Sequence, residues 1–317
     1  MIPKLERTPV ASEQRALMVG GGTMGCSVAV VFLAGGWRVD VVSPTEKTRA
    51  SLPARIAQGL SRLGKTLDPA RLAVHADYTT VPWSEVTIVV ENVSEDLALK
   101  RRVFAELVRH SLPQTPLTSN SSSYPISAIA EELPSQHRMM GLHFYMPAFL
   151  IPLVEVVRAK ATDIALANEV GEWMWALGKR PVQVNRDIEG FLANRIQHAL
   201  IREAVNMLEL GIASPRDIDA AIRYSFDFRL AAAGPLMQRE HAGWDMSCAV
   251  AKSIYPHLSN MSGPPPVVEA LVERGHFGMK SGHGLYPWDT ESIAHEKDRY
   301  EKALQAVLAV FEREGLQ

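Results

Sequence analysis

The sequence predicts an α/β N-terminal domain built on a mostly parallel sheet, followed by an all-helical C-terminal domain. Three observations carry this. Strand-length apolar runs alternate with helical periods between residues 15 and 119. A glycine cluster, Gly20, Gly22 and Gly25, separates the first run from the first helical stretch. From Phe191 onward only helical periods occur. Alternation of this kind is how a parallel sheet covered by helices is written.

Taken in order, ALMV before the glycines predicts a buried strand, Met24–Ala34 an apolar helix, and Arg38–Val42 a second strand, which together make a βαβ unit. A helical stretch runs from Glu46 to about Leu63, and a short strand lies near Val74. TIVVEN, residues 87–92, is a fully apolar strand that ends on Glu91 and Asn92. A helix from Leu97 to about His110 and a strand over residues 116–119 continue the alternation. Beyond residue 188, ANRIQHALIREAVNMLELG, SPRDIDAAIRYS and HEKDRYEKALQAVLAVFERE all carry helical spacing. The change of texture lies between Val184 and Gly190, giving domains of 15–187 and 188–317.

A chain of 317 residues with 47% hydrophobic content can bury a core in each of two such domains. The net charge of −2 supplies no field that would gather nucleic acid or anionic lipid, so a small-molecule partner is expected and neither nucleic acid nor membrane. The two cysteines, Cys26 and Cys248, have no spacing suited to a metal site or a disulfide framework, which fits a reduced, cytoplasmic setting without a metal. Met1–Gln14 has charges but no apolar run of signal-peptide length and is expected to be a frayed tail. No later stretch is long and apolar enough to span a bilayer.

Gly20, Gly22 and Gly25 form G-x-G-x-x-G directly after a strand and at the mouth of a helix, the context of a dinucleotide-binding turn. The first glycine permits the tight turn, the second lets backbone N–H groups approach a pyrophosphate, and the third lets the helix pack closely. Thr23 and Met24, inside the motif, are counted with the cofactor-binding residues. An acid at the end of the second strand ordinarily accepts the adenosine ribose hydroxyls. Here that position is Ser43, while Asp40 lies within the strand and faces another way. NAD is the expected cofactor; NADP stays open, because Lys47 or Arg49 could meet a 2′-phosphate.

MGLHFYMPAFLIPLVEVV holds one histidine, His143, and one carboxylate, Glu155, among apolar residues. A histidine titrates near neutrality and can take a hydroxyl proton as hydride leaves the carbon, and a buried carboxylate can orient it. A core histidine beside a structural glutamate is the bland alternative.

The stretches VGGGTMG, VVENVSEDLALKRRVF, SNSSSYPISAIA, GLHFYMP followed by PLVEVV, GFLANR, and GMKSGHGLYPW resemble, in the same order, the L-3-hydroxyacyl-CoA dehydrogenase family. The resemblance implies a Rossmann domain, a helical domain that forms a homodimer, and a catalytic pair at His143 and Glu155. It places Ser122 where a serine hydrogen-bonds the substrate oxygen, and Asn194 where an asparagine helps hold the substrate carbonyl. Glu91 falls on a family position beside the nicotinamide. Lys100 also falls on one, with a solvated helix residue as its alternative. Lys280 and His283, in the glycine turn GMKSGHGLY, are expected to be structural.

Three features depart from the family pattern. Ser43 replaces the usual acid, Met146 stands where many relatives have asparagine, and residues 51–78 are short where acyl-CoA members carry a longer helical excursion that grips coenzyme A. Arg55, Arg62, Lys65 and Arg71 there could meet a CoA phosphate or form a solvated helix face. The stretches through GFLANR and IREAVNMLELGIASPRDID resemble equally the branches acting on free acids, those of L-gulonate dehydrogenase and lambda-crystallin, L-carnitine dehydrogenase, and a pyridine-carboxylate dehydrogenase. The expected function is NAD-dependent oxidation of the 3-hydroxyl of an L-3-hydroxyacyl-CoA, a step of fatty acid metabolism, with His143 as general base. The alternatives are the same chemistry on a CoA-free hydroxy acid and, more remotely, a catalytically silent nucleotide-binding structural protein.

Overall fold

The structure, a computed structural model, describes residues 14–313, so all but the last residue of the expected N-terminal tail lies outside it. The carbonyl of that residue, Gln14, accepts the N–H of Arg38 at 2.9 Å and so extends the first strand pairing.

Eight strands form one sheet in the order β3-β2-β1-β4-β5-β6-β7-β8. They are β1 (Arg15–Val19), β2 (Arg38–Val42), β3 (Leu72–His75), β4 (Ile88–Glu91), β5 (Leu117–Ser119), β6 (Met139–Phe144), β7 (Leu153–Arg158) and β8 (Arg180–Val184). All neighbours pair in parallel except β6 and β7. The helices of this part are α1 (Thr23–Ala34), α2 (Glu46–Ser61), α3 (Leu97–His110), α4 (Ile126–Ile129) and α5 (Ile164–Ala176).

Alternation along the strands sends side chains to two cores. Ala16, Met18, Val39, Val41, Ile88 and Val90 pack with α1, α2 and α5. Leu17, Val19, Val89 and Leu117 pack on the other face with Phe104 and Leu107 of α3 and Ile126 and Ile129 of α4. Asp40 takes the α3 face, where it is buried and bonded to Arg15 at 2.8 Å and His75 at 2.6 Å, so it points away from Ser43 as expected.

A second compact unit begins after Arg195. Apart from two short bridges in the Gly278–Pro287 turn, its described residues are helical or irregular. α6 (Ala193–Glu209) enters this unit from the first, and α7 (Pro215–Ile222), α8 (Phe228–Leu230), α9 (Pro235–Ala242), α10 (Trp244–Ile254), α11 (Pro266–Glu273) and α12 (Thr290–Arg313) follow. Ser214 caps α7 by accepting the Asp217 N–H. His283 bridges Gly278 and Pro287 within that same turn, matching its expected structural role.

The α2-to-β3 connection corrects one expectation. Lys65 donates to the carbonyl of Ala34, Arg71 to that of Gly36, and Arg55 to those of Gly21 and Gly22 at 3.2 Å each. These three cations are tethers, because carbonyls at the end of α1 and in the glycine loop need donors. They are not a freely solvated face.

Candidate active site

One row of paired residues, Val42–Val19–Glu91–Ser119–Gly141, crosses β2, β1, β4, β5 and β6. Just past it, at the carboxyl edge, come Ser43, Gly20, Asn92, Asn120 and, two residues on, His143. The strand order reverses between β1 and β4, which is where an open α/β sheet leaves a crevice for ligand.

The glycine loop lies at that reversal. Gly20 has φ +103°, and a β-carbon there would come within 2.7 Å of the Asn92 carbonyl oxygen. A β-carbon on Gly25 would lie 1.8 Å from the Gly20 oxygen, so any side chain would push α1 off the loop. Gly22 differs, because a β-carbon there would meet nothing within 4 Å. It is the N-cap of α1, with no side-chain cap and no acid in the first turn. A helix start with no side-chain cap and no acid, beside a glycine whose β-carbon position is open, suits a pyrophosphate, and these residues therefore fit a dinucleotide. Thr23 and Met24 form the first turn of α1. Ser43 is buried, and Arg49 folds over it to bond its carbonyl at 2.8 Å.

Glu91 and Lys100 are turned into the protein. The Lys100 Nζ lies 3.0 and 3.1 Å from the two Glu91 oxygens and 3.2 Å from Glu95. Lys100 is 1% exposed, which overturns the solvated alternative. Ser119 donates to Glu91 at 2.7 Å and the Val93 N–H at 2.6 Å, so both Glu91 oxygens are engaged. Glu95, which the sequence reading missed, accepts from the Ser121 hydroxyl at 2.7 Å and from the N–H groups of Ser122 and Ser123 at 3.1 and 2.8 Å. Burial pushes the Glu95 carboxyl up, but the Ser121 and Ser123 bonds and the Lys100 charge outweigh it and hold it below the usual carboxylate range. This network fixes the turn that presents Ser122, whose side chain is exposed. Asn120 ties the turn to its neighbours, donating to Asn92 at 3.0 Å and accepting the Phe144 N–H at 2.8 Å.

His143 and Glu155 are direct partners in the antiparallel β6–β7 ladder, so both side chains leave the same face. The His143 Nδ1 lies 2.8 Å from Glu155 Oε2, with His143 3% and Glu155 0% exposed. Glu155 Oε1 accepts the N–H groups of Leu192 and Ala193 at 3.0 and 2.8 Å, so the carboxylate caps the start of α6. Burial raises the Glu155 carboxyl, and the bonds from His143, Ala193 and Tyr145 outweigh it and hold it ionised below its ordinary range. An ionised acceptor requires Nδ1 to carry a proton, so in the neutral imidazole the lone pair lies on Nε2.

Two further residues of this site escaped the sequence reading. Tyr145 donates to Glu155 Oε2 at 2.9 Å and lies beside His143, with ring centroids 4.6 Å apart. Phe191 sets its ring edge-on to His143 at 5.5 Å and has φ +48°, a left-handed conformation that strains a bulky residue. The two N–H bonds that Glu155 accepts immediately after Phe191 offset that strain. Asn194 follows in the first turn of α6, half-buried.

The family model described as the NAD binding domain of 3-hydroxyacyl-CoA dehydrogenase matches residues 15–188. The C-terminal domain model of the same enzymes matches residues 190–288. The chain belongs to the 3-hydroxyacyl-CoA dehydrogenase family. It is an NAD-dependent oxidoreductase acting on CH–OH. A 3-hydroxybutyryl-CoA dehydrogenase of Mycobacterium tuberculosis is 34% identical over 287 residues, covering 87% of this chain and 98% of its own. A 5-formyl-3-hydroxy-2-methylpyridine 4-carboxylate 5-dehydrogenase of Mesorhizobium japonicum is 29% identical over 299 residues, covering 92% and 97%. A crystal structure of an enzyme of that pyridine activity, described as an NAD+-dependent dismutase, superposes with a TM-score of 0.86 at 27% identity, covering 94% of this chain and 98% of that one.

Proposed function

We propose that this dehydrogenase interconverts a hydroxy acid and its keto or aldehyde counterpart, with His143 as general base. The observation that carries the proposal is the buried His143–Glu155 pair at the carboxyl edge that also bears the glycine loop. Nε2 of His143 takes the hydroxyl proton, and the Glu155 carboxylate steadies the imidazolium that results. Bound NAD supplies the hydride acceptor. Ser122 and Asn194 hold the reacting oxygens, while Glu91 and Lys100 act through the serine turn. The glycine loop, Thr23 and Met24 hold the pyrophosphate, and Ser43 meets the adenosine ribose. Exposed Tyr224, Phe228 and Trp244 on the helical unit are consistent with a homodimer.

For the substrate, the α2-to-β3 connection favours a CoA-free acid. Residues 62–71 contain only a three-residue helical turn, Pro69–Arg71, and are tied down by Lys65 and Arg71. The likeness to the pyridine-carboxylate dehydrogenase supports the same choice. The test is NAD reduction with L-3-hydroxybutyryl-CoA against 3-hydroxybutyrate, L-carnitine, L-gulonate and hydroxymethylpyridine carboxylates. Turnover of a free acid and none of the thioester is expected. Turnover of the thioester alone would return the chain to the acyl-CoA branch and to fatty acid metabolism.

Ser43 yields a second prediction, on binding alone. Ser43→Asp should tighten NAD, because a carboxylate accepts both ribose hydroxyls, and weaken NADP by repelling its 2′-phosphate. Calorimetric titration with each nucleotide checks it, and equal affinities before and after would remove Ser43 from the ribose site.

A further inference from the structure

We propose that Tyr145 is a positioning residue of the His143–Glu155 pair, an inference that rests on the general-base reading above. One carboxylate oxygen, Glu155 Oε2, receives both the Nδ1–H of His143 at 2.8 Å and the Tyr145 hydroxyl at 2.9 Å. The other, Oε1, is held by the N–H groups of Leu192 and Ala193. Two successive backbone donors at the start of α6 thus hold one carboxylate oxygen while the phenol and the imidazole share the other.

The phenol must be the donor to Glu155. Its burial, the facing Glu155 charge and the hydrogen bond to it all keep the proton on Tyr145. Its bond to Oε2 directs the hydroxyl and holds Oε2 in place against Nδ1. The Tyr145 ring, tilted 59° to the imidazole, packs against His143 at 4.6 Å between centroids, as Phe191 does at 5.5 Å. Among the described residues, the titratable groups in hydrogen-bond or ring contact with His143 are Glu155 on β7 and Tyr145 at the end of β6. Phenylalanine at 145 would keep the ring packing and lose the direction. Oε2 would then carry one donor fewer, and the bond from His143 Nδ1–H would shorten in response.

The test compares Tyr145→Phe with the parent enzyme in three readouts. In the proton spectrum, the downfield Nδ1–H resonance of His143, assigned by its loss in His143→Ala, should move further downfield. The kcat should fall roughly tenfold or more, the lower end of the range for a hydrogen bond to a charged group, with KM and NAD affinity unchanged. In a His143→Ala background the same substitution should cost nothing further, because Tyr145 acts through the histidine. An unmoved resonance, a rise in KM at constant kcat, or an equal loss in both backgrounds would each overturn the proposal. The spectral readout does not depend on turnover. A failure of His143 as base would therefore show as an active His143→Ala enzyme with the Tyr145 shift still present.

Discussion

His143→Ala should reduce kcat by on the order of a hundredfold or more, the usual weight of a general base, while NAD binds as before. The separation follows from the geometry. The glycine loop and Ser43 are built on β1, α1 and β2, whereas His143 stands on β6 and, among the described residues, its side chain bonds to Glu155. Removing the imidazole takes away the proton acceptor and leaves the cofactor side intact. Glu155→Gln should hurt less, because a glutamine carbonyl can still accept the Leu192 and Ala193 N–H groups, though its amide meets Nδ1 poorly. Steady-state kinetics with nucleotide titration separates the outcomes. Full turnover by His143→Ala would remove the base assignment, and a larger loss in Glu155→Gln would give Glu155 a role of its own.

Lys100→Met should destabilise the first unit by about 3–5 kcal/mol, the scale for stranding a buried charge. Such a loss is a large share of the stability of an ordinary domain, about 5–15 kcal/mol. Glu91 is 0% exposed and loses the cation that touches both its oxygens. Glu95 loses the same partner, so the turn bearing Ser122 loosens too. The double variant Lys100→Met with Glu91→Leu should recover part of the stability, since it removes the stranded buried carboxylate, while Ser119 and the Val93 N–H lose their acceptor. Denaturant unfolding of the two variants checks this. Equal losses in both would mean that the pair itself, rather than the unpaired carboxylate, carries the stability.

The parts of the fold written in local signals were legible. Short continuous apolar runs and period-3.6 patterns located β1, β2, β4 and α1 to α3 within a residue or two, and the glycine spacing gave the dinucleotide turn. Strands β6 to β8 and helix α5 were not assigned, because their apolar runs show no period that separates strand from buried helix. His143 and Glu155 were named from chemistry and resemblance, but their contact depends on an antiparallel register that no local pattern prints. Tyr145 was hidden by its apolar neighbours, although it carries the only hydroxyl in the stretch GLHFYMP. Lys100 was named, but its burial was left open against a solvated alternative that the sequence could have removed. It sits at helical spacing with Leu97, Phe104 and Leu107 on the face of α3 that turns to the sheet, and a cation on an apolar stripe asks for a buried partner.

The central claim is that this protein moves a hydride from a hydroxyl-bearing carbon to NAD. It is tested most directly by supplying the substrate that turns over with deuterium on that carbon and weighing the reduced nicotinamide by mass spectrometry. Transfer of the label into the reduced cofactor, abolished or slowed on the order of a hundredfold in His143→Ala, is the predicted result. Unlabelled reduced cofactor, or label transfer at the parent rate in that variant, would contradict the account.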